Sequence, residues 1–171
     1  MIIAIDGPCC GGKTTYAARL ASEYGVNCNI FHMDDFFLRT EQRTEERLKT
    51  PGGNVDYERF LEEVLIPLKS GMPFAYRKFC CSTMSLGEQV EIMPCEMNIV
   101  EGTYSLHPAL GKYYDKCIYI DVDKETQLER LKNRETEDSL KMFIQKWIPL
   151  EQLYLDTFRP HKLCDEIISL I

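Results

Sequence analysis

The segment Gly7-Pro8-Cys9-Cys10-Gly11-Gly12-Lys13-Thr14 constrains this chain more than any other feature. It follows a short apolar run, Met1-Ile2-Ile3-Ala4-Ile5-Asp6, and it opens a stretch with helical character from Thr14 to Tyr24. Strand, glycine-rich turn and helix, in that order, are the setting in which a phosphate loop works. Glycines let the backbone curl so that several N–H groups point at one anion. The helix then offers the positive end of its dipole to the same anion. In such a loop Lys13 reaches the β- and γ-phosphates and the Thr14 hydroxyl is placed to ligate Mg²⁺. The expected nucleotide contacts are Gly7, Pro8, Cys9, Cys10, Gly11, Gly12, Lys13, Thr14 and Thr15.

Strands and helices alternate along the rest of the chain. Ala17, Ala18, Leu20 and Ala21 are predicted to form the inner face of the first helix, with Gly25 as its stop. Residues 28–33 read as a second strand ending at Asp34-Asp35, and the charged stretch 40–50 as helical or mobile. Pro51-Gly52-Gly53-Asn54 is a loop, after which Asp56 caps a helix with Phe60, Leu61, Val64, Leu65 and Leu68 at core spacing. Residues 74–93 read as a hairpin-like excursion turning near Ser85-Leu86-Gly87. Strands follow at Met97 to Val100, ending in Glu101-Gly102, and at Cys117 to Val122. Helices at 123–133 and 138–157 and a last strand from Glu166 to Leu170 complete the chain. This alternation predicts an α/β fold: a parallel sheet of about five strands flanked by helices. With 171 residues and no repeat or linker, one domain is expected over 1–171, with a small lid at 130–140 and a substrate-side insertion at 74–93.

The formal net charge of −7 argues against a general nucleic-acid binder, but not against a local phosphate site. No run of about 18 apolar residues is present, so no membrane partner is expected. The first residues read as a buried strand, not a signal peptide, which gives a cytoplasmic expectation. Eight cysteines then read as reduced thiols, and the adjacent pairs Cys9-Cys10 and Cys80-Cys81 do not match zinc spacing. Cys9 and Cys10 lie beside Lys13 and a helix N-terminus, which would lower a thiol pKa and suit a redox sensor. The plainer reading makes them the variable positions of the loop motif.

Among phosphate-loop proteins a GTPase needs an Asn-Lys-x-Asp guanine reader, and Asp121-Val122-Asp123-Lys124 lacks the Asn. The chain is short for a large ATPase and fits a small ATP-dependent kinase. Asp34 ends the second strand, next to the strand that feeds the phosphate loop in the usual doubly wound order, where ligands collect. A carboxylate there can accept the proton of an attacking hydroxyl; a turn or cap role is the plain alternative. The Asp35 side chain is expected to point the other way.

The chain resembles the uridine kinase and nicotinamide riboside kinase family of phosphate-loop nucleoside kinases. The resemblance rests on Gly7–Thr15, Met33-Asp34-Asp35-Phe36-Phe37, Asn54 to Phe60, Ile99-Val100-Glu101-Gly102, the run Arg130 to Arg134, and Trp147-Ile148-Pro149 with Tyr154. It implies Mg-ATP-dependent transfer of a phosphoryl group to a nucleoside 5′-hydroxyl, uridine or cytidine first, nicotinamide riboside or another small alcohol second. It makes Asp34 the general base, and puts Glu101 near Mg²⁺ or the acceptor hydroxyl. It sets Asp56 on the ribose hydroxyls, Tyr76 near the base, and Phe36 and Arg77 with them on the substrate side. Arg130 and Arg134 become lid arginines; four residues apart, they share one helix face, and transfer needs positive charge at the phosphoryl oxygens. Two positions depart from the family pattern: Val55 stands where an aromatic residue is common, and Cys80-Cys81 where acidic or polar residues are. A non-catalytic ATP-binding regulator is the rival reading. A monomer or a homo-oligomer fits equally.

Overall fold

A computed structural model of the protein describes residues 1–25 and 27–170. Five parallel strands form the central sheet in the order β2-β5-β1-β6-β7. They are β1 (Ile2–Asp6), β2 (Cys28–His32), β5 (Met97–Glu101), β6 (Lys116–Asp121) and β7 (Glu166–Ser169). β1 and β5 are buried along their whole length, because central strands of a parallel sheet are covered on both faces. Alternation sorts their side chains into two cores. Ile3, Ile5, Ile99, Ile118 and Ile120 pack with Tyr16 and Ala17 on one face. Ile2, Phe31 and Val100 pack with Phe36, Phe60, Val64 and Tyr154 on the other.

The strand order corrects one expectation. β5 lies between β1 and β2, so the segment carrying Asp34 is not beside the strand that feeds the phosphate loop. β2 ends at His32, and Met33–Phe36 is a 3₁₀ turn that carries both aspartates.

Helix α1 (Lys13–Tyr24) buries Tyr16 and Ala17, while the face assigned to Ala18 is exposed. Ala17, Leu20 and Ala21 face the core with Tyr16, as 3–4 spacing requires, and Gly25 ends the helix at φ 61°. The charged stretch holds a 3₁₀ turn at Thr40–Gln42 and a short helix α2 (Glu45–Leu48). Asp56 caps α3 (Tyr57–Phe60), which runs through a π-turn at Leu61–Leu65 into α4 (Ile66–Ser70). A second π-turn, Phe143–Trp147, joins α6 (Glu137–Met142) to α7 (Ile148–Phe158). Pro67 and Pro149 explain both: each lacks an N–H and crowds the carbonyl four residues back, and a wider turn relieves the clash.

The excursion is a two-stranded antiparallel hairpin, β3 (Phe74–Cys80) and β4 (Ser85–Ile92). Its turn lies at residues 81–84, earlier than the Ser85-Leu86-Gly87 expected, and those three residues belong to β4. Gly87 inside a strand needs no special conformation, which is why glycine alone misplaced the turn. Helix α5 (Lys124–Arg134) follows β6, and only Glu135 and Thr136 separate it from α6. No helix among the described residues is long and apolar enough to cross a membrane.

Candidate active site

The phosphate loop bends where side chains cannot follow. At Gly7, φ is 145° and a Cβ would stand 2.2 Å from the Ile120 carbonyl oxygen, so β1 turns into the loop against β6 only with glycine there. Gly102, at φ 139°, turns β5 in the same way, and its Cβ would meet that of Met33 at 2.8 Å. The two turns open a cleft of about 660 Å³ at the carboxyl ends of the strands. Cys9 to Thr15 form its floor. Gly7 and Pro8 lie beneath, contributing carbonyls that hold Lys13: its Nζ donates to Gly7 O at 2.9 Å, Pro8 O at 2.7 Å and Thr103 Oγ1 at 3.2 Å. Lys13 is thus folded back over its own loop at the floor of the cleft.

Glu101 ends β5 almost fully buried, and its Oε1 accepts from Thr14 Oγ1 at 3.0 Å and from His32 Nδ1 at 2.5 Å. That hydrogen bond raises the His32 pKa. A hydroxyl and one carboxylate at the head of a phosphate loop fit Mg²⁺, which takes few protein ligands and fills its octahedron with waters and phosphate oxygens.

Asp34 lies on the β2 side of the cleft with Phe37, Arg43 and Asn54, and the hairpin tip adds Cys81 and Met84. Water reaches the Asp34 side chain, yet the cleft walls enclose it, and this desolvation raises its pKa above the ordinary 3.8 against the pull of Lys13. Asp35 leaves the cleft and pairs with Lys78 at 2.9 Å. The opposite wall carries Arg130, Arg134, Phe143, Trp147 and Glu151. Arg130 Nη1 donates to Cys10 O at 3.3 Å and its Nη2 to Leu170 O at 3.0 Å. Arg134 Nε donates to Glu135 at 2.7 Å.

Four residues expected on the substrate side lie elsewhere. Asp56 is buried and committed, its Oδ1 capping Arg59 N at 3.1 Å and its Oδ2 accepting from Gln42 Nε2 at 2.7 Å. Phe36 and Tyr76 stack on each other in the core, ring centroids 5.3 Å apart, with the Arg59 guanidinium over Phe36. Arg77 is exposed on the hairpin, and its carbonyl serves Arg59. Phe37, the neighbour of Phe36, is the aromatic that reaches the cleft.

Sequence reasoning passed over Glu151, Thr103, Arg43 and Asp6. Glu151 is buried; its Oε2 accepts from the loop amide Cys9 N at 2.7 Å and its Oε1 from Gln127 Nε2 at 2.7 Å. The spacing of Trp147, Glu151 and Tyr154 on one helical face was the available signal. The carboxylate overturns the idea of activated loop thiols: burial, then Glu151, pushes the Cys9 thiol up to about 12, and burial also raises Cys10. The low thiol is Cys80 at the hairpin, drawn down to about 6 by hydrogen bonds from Ser82 and Thr83.

Asp6 anchors the whole site. Its Oδ1 accepts from Gly7 N at 2.6 Å and Tyr104 N at 3.2 Å, its Oδ2 from Leu106 N at 2.8 Å and the Tyr154 hydroxyl at 2.6 Å. One buried carboxylate so joins β1, the segment after β5 and α7. Asp6→Asn keeps the shape but turns an NH₂ toward donors. It is expected to cost about 2–4 kcal/mol of stability, read by denaturant unfolding.

No protein-family model matches the chain. Solved structures do. A protein described as a possible uridine kinase from Bacillus stearothermophilus superposes with a TM-score of 0.75 at 22% identity, covering 98% of this chain and 88% of its own. A protein assigned as a fructose transport system kinase from Silicibacter sp. TM1040 gives 0.70 at 22% identity, covering 98% and 89%. D-glycerate 3-kinase from Cryptococcus neoformans gives 0.64 at 17% identity, covering 91% and 79%. These likenesses show the fold: this chain shares the parallel-sheet α/β fold of these kinase structures.

Proposed function

We propose that the protein is an Mg-ATP-dependent kinase that transfers the γ-phosphoryl group to a hydroxyl of a small molecule. The observation that carries this reading is the meeting of Asp34, Lys13, Thr14 and Glu101 in one cleft. A mere nucleotide binder has no use for a carboxylate sharing the cleft with the loop lysine. Lys13 leaves its carbonyl partners for the β- and γ-phosphates, and Arg130 and Arg134 act as a lid, residues 130–140, over the phosphoryl oxygens. Mg²⁺, when bound, neutralises charge on the phosphates; Thr14 and Glu101 are the residues that would hold it. Asp34 orients the acceptor hydroxyl. The hydroxyl oxygen bonds to the γ-phosphorus, the bond from that phosphorus to the β–γ bridging oxygen breaks, and Asp34 takes the proton.

We take the chain as one kinase unit working in the cytoplasm, with the 74–93 hairpin on its acceptor side. A nucleoside 5′-hydroxyl, of uridine or cytidine, is the second and finer reading, favoured by the likeness to the possible uridine kinase. It loses support from Asp56 and Tyr76, which do not line the cleft. An ADP-release assay against uridine, cytidine, nicotinamide riboside, sugars and small hydroxy acids separates the readings. Acceptor-dependent ADP release is expected. ATP binding without ADP release on any acceptor supports the regulator instead.

A further inference from the structure

Arg43 stands apart among the cations of its segment. Arg39 pairs with Glu41 at 3.4 Å, Arg47 with Glu58 at 2.6 Å and Arg59 with Glu63 at 3.0 Å. Arg43 has no carboxylate partner among the described residues, and of these four arginines it is the one that lines the cleft. Its guanidinium is nevertheless fixed. Nε donates to Leu38 O at 2.8 Å, and Cζ lies over the ring of buried Phe79, 5.5 Å from the centroid. Both Nη groups are left without a protein acceptor among the described residues. The other cations of the cleft are occupied: Lys13 by the loop carbonyls, Arg130 by backbone oxygens and Arg134 by Glu135.

The position of Arg43 is on the acceptor wall. Arg43 lines the cleft together with Asp34, Phe37 and the hairpin-tip residues Cys81 and Met84. The loop, the lid arginines and Mg²⁺ serve the nucleotide phosphates from the other side. A planar fork with two unused N–H edges matches the oxygens of a carboxylate or a phosphate. A neutral nucleoside offers this fork single carbonyl and hydroxyl acceptors but no charged pair of oxygens.

Resting on the kinase reading, we infer that the acceptor is an anionic alcohol, a hydroxy acid or a phosphorylated sugar, whose oxyanion is held by Arg43 while its hydroxyl meets Asp34. Asn54 lines the same cleft, its side chain hydrogen-bonded to the Tyr104 hydroxyl.

The test uses matched pairs: glycerate against glycerol, and ribose 5-phosphate against ribose, with uridine as the neutral nucleoside. ADP release is measured for each, and binding is measured by calorimetry with Mg²⁺ and a non-hydrolysable ATP analogue. An anionic member is expected to be preferred, the glycerate arm reporting a carboxylate and the ribose 5-phosphate arm a phosphate. Arg43→Gln should raise KM for that acceptor roughly 10²-fold, with KM for ATP unchanged. Arg43→Lys, which keeps the charge without the fork, should fall between and shows that the fold is intact. Equal use of uridine or the neutral members, or an Arg43→Gln effect on ATP alone, overturns the inference while leaving the kinase reading standing. An anion that binds through Arg43 without ADP release on any acceptor leaves the Arg43 anion site but overturns its assignment to an acceptor, together with the kinase reading. No binding by any anionic member, with none turned over, overturns it as well.

Discussion

Asp34→Asn is expected to bind ATP almost normally and to lose roughly 10²–10⁴ in kcat, the range for removal of a general base. Asn keeps the size of the side chain and can still orient a hydroxyl, but it cannot take the proton. Asp34 faces the loop across the cleft and is not among the atoms that hold Lys13, so nucleotide affinity is spared. The wild type carries a further mark. Desolvation raises the Asp34 pKa above 3.8, and only the ionised form is a base. Activity is therefore full above that raised value and falls as the pH drops through it, placing the acid limb higher than an ordinary aspartate would. The limb vanishes in Asp34→Asn. Asp35→Asn gives a mild effect, because Asp35 lies outside the cleft and loses only a partly exposed pair with Lys78.

Lys13→Ala removes the second large contribution. Lys13 Nζ donates to three oxygens, from Gly7, Pro8 and Thr103. Its removal leaves the loop without the cation that meets the β- and γ-phosphates, where charge builds in the transition state. A loss of roughly 10²–10³ in kcat is expected, alongside weaker ATP binding. Steady-state kinetics and nucleotide titration on the same preparation check both. Wild-type turnover in Lys13→Ala contradicts the assignment of the phosphate loop.

The frame was legible because it follows from strong local signals. Ile2 to Asp6 is too apolar and too short to be anything but a buried strand, and Gly7, Gly12 and Lys13 mark the loop by conformation and charge. The cleft position of Asp34 was legible because two carboxylates follow directly on an apolar strand. What escaped depends on pairing at long range. No local pattern says that β5 inserts between β1 and β2, or that Asp6 reaches Tyr154 across the fold. Asp56 and Tyr76 look, in sequence, like ligand residues, and only the tertiary contacts with Arg59, Gln42 and Phe36 reveal a capping aspartate and a core aromatic. Arg43 was hidden for the opposite reason. It sits in a charged run whose other arginines are paired, and its free edge is visible only once those partners are.

The central claim is transfer of a phosphoryl group to a hydroxyl at Asp34. The most direct measurement follows phosphorus NMR of the reaction with ATP, Mg²⁺ and the preferred acceptor, in the wild type and in Asp34→Asn. The account predicts one phosphomonoester formed for each ADP in the wild type, and almost none in the variant at saturating ATP. ADP accompanied by inorganic phosphate alone, or phosphomonoester formed equally fast without the Asp34 carboxylate, would contradict it.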